Sequence, residues 1–182
     1  MTDAWTDDDS SGPTAANLHL IEQGIALLEG LDAALYTTLP PVPMGTVGGH
    51  VRHCLEFYER FAEGLDGGAI DYDARARDLR VERDPAYARD RLRAVAERLR
   101  ALPAGCADRP LLAIHDRDEN GASTPGRSSV RRELLFLASH TTHHFALIAA
   151  LLRLHGREPG PDFGVAASTL AYRRRQPAPA RA

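Results

Sequence analysis

No lysine occurs in the 182 residues, so all 22 of the Lys+Arg cations are arginine. We read that as the codon bias of a GC-rich genome, not as chemistry. Even so, cations fall short of the 25 Asp+Glu, and a net charge of -3 gives no general attraction to nucleic acid or acidic membranes. Cysteine is nearly absent: Cys54 and Cys106 lie far apart and form neither a CxxC pair nor a disulfide framework, which points to a reducing cytosol. The longest apolar stretches fall short of the roughly 18 residues a membrane span requires. The start, MTDAWTDDDSSGP, is acidic and polar where a signal peptide is basic and then apolar. The expectation is a soluble, cytoplasmic protein with neither nucleic acid nor membrane as a partner. The RRR run at 173–175 is too short to change that.

What is present suffices for one domain. Hydrophobic residues make up 43%, enough for a sizeable core, and the length suits a single domain with tails. Residues 1–13 are polar and acidic, and 173–182 end in QPAPARA, so both are expected to be flexible around a domain at 14–172. No solenoid-type repeat is visible.

Four segments carry helical periodicity. The first spans about Thr14 to Thr38, with Leu20, Ile21, Leu27, Leu28, Leu31 and Leu35 on one face, and is stopped by Pro40, Pro41 and Pro43. The second opens at Thr46, a good N-cap, and closes at Gly67-Gly68. The third opens on Asp84-Pro85 and stops at Pro103; the fourth runs from near Ser129 to His155, with Gly156 as its stop. A shorter helix starts near Ser168 or Thr169. Between the third and fourth helices, Asn120-Gly121 suggests a turn between two short strands. The expected fold is all-α: a four-helix bundle with a small hairpin or loop decoration before the last long helix.

The eight histidines are unevenly placed. Helix two carries HVRH (His50, His53) and helix four HTTHH (His140, His143, His144). At roughly 100° per residue, the apolar face of helix four centres about 20° from His144, about 60° from His140 and about 120° from His143. His140 and His144 therefore point inward. Two imidazoles aimed into an apolar bundle need partners, since an unpaired buried polar group costs about 1–3 kcal/mol. A metal ion gripped from two helices meets that need. On helix two the same period puts His50 about 60° and His53 about 120° from the face centre, favouring His50 as the third ligand. Lone His19, His115 and His155 are expected to be ordinary hydrogen-bonded residues.

TVGGHVRHCLEFYERF followed much later by ELLFLASHTTHHFALIAALL resembles the DinB-like family of metal-binding four-helix bundles. The resemblance covers about Thr14 to Tyr172, and YDARARDLRVE and DFGVAASTLAYRR also resemble one subgroup of bacterial members. It implies one histidine ligand on helix two and an HxxxH pair on the last helix. His140 and His144 match the pair, and His53, followed by Cys54-Leu55-Glu56, matches the helix-two position better than His50 does. We side with His53 and keep His50 as a neighbour or substitute ligand.

Three neutral imidazoles leave an ion's charge uncompensated and a coordination position open, the pattern of catalytic sites. The ligand set suits zinc, nickel or iron. Relatives implied by the resemblance include S-transferases and isomerases using small bacterial thiols. A metal-dependent transferase joining a low-molecular-weight thiol to an electrophilic small molecule is therefore the first functional expectation, with a hydrolase as its variant. The alternative is a non-catalytic metal-binding or stress-response module. The catalytic candidates are Glu56 and Glu133, for orienting ligands or moving protons, and His143, for positioning substrate. Arg52, Arg75 and Arg77 are the candidates for a substrate carboxylate, which guanidinium pairs bidentately. A homodimer is compatible with all of these readings.

Overall fold

A computed structural model describes residues 12–115 and 117–176. Most of both expected tails, 1–11 and 177–182, lies outside the described residues.

The chain is mostly helical, with a small three-stranded sheet. In order, it forms α1 (Pro13–Glu29), α2 (Ala33–Thr37), α3 (Val47–Gly67), β1 (Ala69–Asp71), α4 (Leu79–Arg83) and α5 (Pro85–Arg100). A 3-10 turn (Cys106–Asp108) leads to β2 (Pro110–Ile114), β3 (Gly126–Ser129), α6 (Val130–Leu154) and α7 (Ala167–Arg175). Of the four long helices, α1 packs on α5 and α6, and α3 packs on the same two.

Capping residues set the boundaries. Thr46 accepts from the Gly49 amide, Asp84 from Tyr87 and Ser129 from Arg132, each satisfying a donor that the first helical turn leaves unpaired. The same chemistry corrects the expected single helix from Thr14 to Thr38. Asp32 accepts from the Ala34 amide at 2.7 Å and starts α2 afresh, just after Gly30 has ended α1. Tyr36 then locks α2 in place, fully buried and donating to the Val81 carbonyl at 2.7 Å.

The decoration is wider than the expected hairpin. β2 and β3 pair antiparallel, Leu111 opposite Ser128, but β1 joins on the other side, parallel to β2, Ile70 opposite Ala113. Three residues are too few to show a period of two. β1 exists because Gly68, in the left-handed region at φ 69°, turns the chain out of α3 and back along it. Gly121, also left-handed at φ 79°, and Asp118, which accepts from the Asn120 and Ala122 amides, form the expected turn within the β2–β3 connection. The last helix starts at Ala167 and includes Arg173 to Arg175, three residues of the tail expected from 173 on.

α6 is long and apolar enough, by length and composition, to cross a membrane, which the reading of short apolar stretches overlooked. Its Glu and Arg residues sit only near its ends, and its middle carries threonines and histidines. In this fold its buried stripe, including Leu134, Leu137, Ile148 and Leu152, packs on α1 and α3.

α3 is enclosed on several sides. A Cβ at Gly48 would stand 2.1 Å from the Glu82 carbonyl oxygen and 2.9 Å from Tyr36 Cε1. Gly48→Ala should therefore lower the unfolding free energy by about 1–3 kcal/mol, as overpacking does. Gly67→Ala, whose Cβ would meet nothing within 4 Å, should be neutral or stabilise by up to about 1 kcal/mol. Urea denaturation of the two variants beside the parent checks the pair, and equal effects would contradict the close approach of α3 to α4.

Candidate metal centre

α6 stacks His140 and His144 one turn apart, and α3 sets His53 across from them. The nitrogens that the three imidazoles offer lie within 4.8 Å of one another, a group that can hold a metal ion. His53 Nε2 and His140 Nε2 stand 3.0 Å apart. The ring centroids are 4.9 Å apart for His53–His140 and 4.6 Å for both His53–His144 and His140–His144.

The three are suited to presenting lone pairs. Burial, then the nearness of His140 and of the Arg75 and Arg52 guanidinium groups, pushes His53 down to about 4. His140 is also pushed down to about 4, by burial first and then by His143 and Arg75. His144 falls to about 3, by burial and then by His140 and His53. At neutral pH all three are uncharged, the form a metal requires. His140 Nδ1 is buried with no hydrogen-bond partner, and one shared proton is all that two facing Nε2 atoms can use. An ion held by His53 and His140 would resolve that contact. The residues fit the group.

His50 stands behind His144, outside the three. Its Nε2 lies 2.7 Å from the Met44 carbonyl, which can only accept, so Nε2 donates. Its Nδ1 lies 2.9 Å from His144 Nδ1 and, in neutral His50, accepts the proton there. His144 Nε2 is left with its lone pair. This is the carbonyl–histidine–histidine chain by which an outer group fixes a ligand's tautomer. The helical period could not reveal it, because the Met44 carbonyl has no side-chain signal.

The other candidates scatter. Glu56 is buried, accepting from the Asp78 amide at 2.9 Å and from Arg52 Nη1 at 3.3 Å. Arg52 also donates to Glu82 at 2.9 Å, so it is paired rather than free for a substrate. Arg75 reaches the centre, its Nη1 3.3 Å from His53 Nδ1 and its Cζ 4.7 Å from the Phe57 ring centroid. Arg77 is exposed, at φ 52°. His143 is exposed, its ring roughly perpendicular to that of His144 with centroids 5.1 Å apart. Glu133 is fully buried away from the three, bonded to Ser128 and to Arg132 at 2.8 Å, with His115 Nε2 3.5 Å from its other oxygen.

Phe57 and Phe136 were missed. Both flank His140, with centroids at 4.3 and 5.6 Å. Each lies four residues from a candidate ligand on its own helix, and that spacing was the available signal.

Fold and site together define a mostly helical protein with a three-histidine group held between two helices. The chain belongs to the DinB superfamily, whose family model matches residues 22–148. It is also 29% identical over 108 residues to FK506-binding protein 5 of Rhizopus delemar, a stretch covering 59% of this chain and 28% of that protein. No solved structure matches the chain.

The lowered histidines set a pH dependence for the metal-free protein. Between about pH 4 and 6.5 the unfolded chain binds more protons than the folded one, so stability rises with pH and is fully present above about 6.5. Urea midpoints should therefore fall steadily as pH drops through that window. The slope should be shallower in His144→Leu, which removes one of the groups that must take up a proton.

Proposed function

We propose that the chain is a metal-dependent enzyme acting on a small molecule, with His53, His140 and His144 as the ligands of one divalent ion. The observation that carries this reading is the convergence of three uncharged imidazoles from two helices, without a cysteine or carboxylate in the group. Structural zinc sites are usually closed by four protein ligands, whereas three leave a position for an incoming molecule. Zinc, nickel and iron all suit the donor set. When bound, such an ion favours a thiolate over a thiol, or lowers the pKa of water.

The thiol has to come from outside. Cys54 is the nearest cysteine in sequence but lies fully buried, and burial pushes its thiol well above the usual range. We infer a transfer in which a small thiol loses its proton, its sulfur forms a bond to an electrophilic carbon, and the leaving group departs with its electron pair. His50 holds His144 in the required tautomer, and Phe57 and Phe136 shield one side of His140 from water. The superfamily membership supports this reading, as does the fit of the residues to an ion. A cytoplasmic setting is part of the same proposal.

Elemental analysis of tag-free protein should find about one divalent ion per chain, in line with the one three-histidine group among the described residues. His53→Ala should lower metal affinity by far more than His50→Ala, for which a loss of about 10–100-fold is expected of an orienting residue. The reverse ranking in a calorimetric titration would make His50 the ligand. Cobalt-loaded protein should show a near-ultraviolet thiolate band when a small thiol is added. The band should persist in the Cys54→Ser, Cys106→Ser double variant and vanish in His144→Ala. A cobalt form indifferent to thiol would leave the non-catalytic metal-binding module as the reading.

A further inference from the structure

Arg75 differs from Arg52 and Arg91. Arg52 is paired with Glu82 and Glu56, and Arg91 with Glu59. Arg75 forms no ion pair among the described residues, although it is half-buried and its Nε is buried without a hydrogen-bond partner. Its position is nonetheless fixed. The segment between β1 and α4 is pinned at one end by Asp71, which accepts from the Asp73 and Ala74 amides, and at the other by Glu56, which accepts from Asp78. The guanidinium lies over the Phe57 ring, and among the described residues its one hydrogen bond is to His53.

That contact has a chemical consequence. A guanidinium donates and never accepts, so His53 Nδ1 is the acceptor and the imidazole proton sits on Nε2. Coordination through Nε2, the nitrogen facing His140, requires the proton on Nδ1 instead. Arg75 Nη1 then meets a donor, and the contact must open. The guanidinium is then left with no hydrogen-bond partner among the described residues on any of its three nitrogens, beside a centre whose three imidazoles bring no negative charge. Glu56, the buried carboxylate that anchors this segment, already answers Arg52 and the Asp78 amide.

We propose that Arg75 is the anion-recognition residue of the histidine site, and that the small molecule bound there carries a carboxylate. The inference rests on the metal reading above. A fork of N–H groups matches the two oxygens of a carboxylate, which a lysine ammonium at the same place matches less well.

The test uses the cobalt-loaded full chain, with acetate as the probe and the visible cobalt spectrum as the readout. Acetate should perturb the parent spectrum saturably. Arg75→Gln should weaken that response by about tenfold or more, Arg75→Lys by an intermediate factor, and Arg77→Gln by less than about twofold. Binding of the uncharged thiol 2-mercaptoethanol should be nearly the same in the parent and in Arg75→Gln. If Arg75→Gln binds acetate like the parent, or loses acetate, thiol and cobalt together, the assignment is overturned. Parent protein that takes up no cobalt overturns the metal reading and this inference with it. Parent that takes up cobalt while Arg75→Gln behaves normally overturns only the inference.

Discussion

The seating of α6 depends on one buried polar chain. Asn17 donates from Nδ2 to the Pro13 and Leu134 carbonyls at 2.7 and 2.8 Å, and its Oδ1 accepts from Tyr58 at 2.7 Å. Thr141 donates to the Tyr58 hydroxyl at 3.1 Å. All three residues are buried, and leaving any one of these groups unpaired costs about 1–3 kcal/mol. The chain ties α1, α3 and α6 together at fixed rotations. With Thr141 held toward Tyr58 of α3, its neighbours His140 and His144 are carried to the side where His53 projects. A one-residue rotation of α6, about 100°, would break the polar chain and disperse the histidines together. Fold stability and site assembly are therefore one constraint.

A second constraint acts from the opposite side. Glu56 lies one turn below Arg52 on α3, and its two oxygens take the Arg52 guanidinium and the amide that opens α4. Arg52 reaches on to Glu82 within α4. The strap that bears Arg75 is thus fastened to the helix that bears His53, and neither has to be ordered by a ligand. Preorganisation of this kind keeps a site's geometry from being lost to side-chain entropy when something binds.

How far the sequence disclosed this varies by element, for physical reasons. α6 samples its buried face over 25 residues, so the period found His140 and His144 inward and His143 outward. On α3 the same method favoured His50 over His53. That helix packs against α2, α4, α5, α6 and β1, and its buried positions include Gly48, Cys54, Leu55 and Glu56 around much of its circumference. One face centre averages over several neighbours and points at none of them. The family resemblance chose His53 instead, the residue that stands in the three-histidine group. The β1 strand and the Arg52–Glu82 pair were out of reach, since each joins segments far apart in the chain through contacts that leave no local pattern.

The two buried carboxylates show why residue type alone does not assign a role. Glu56 and Glu133 both sit near histidines in sequence, and an acid close to a metal suggests proton transfer. Glu56 has both oxygens engaged by an arginine and an amide. Glu133 closes the junction between β3 and α6, taking Ser128 and Arg132 on one oxygen, while the Phe136 ring stands between His140 and its neighbour His115. Burying either group is tolerable because an arginine stands beside it, Arg52 for Glu56 and Arg132 for Glu133, although Glu133 Oε2 is itself buried without a hydrogen-bond partner. Neither carboxylate hydrogen-bonds to any of the three histidines among the described residues. Of the three candidates for catalysis, His143 is the one whose ring packs against the group, 5.1 Å from His144 between centroids, and it is exposed.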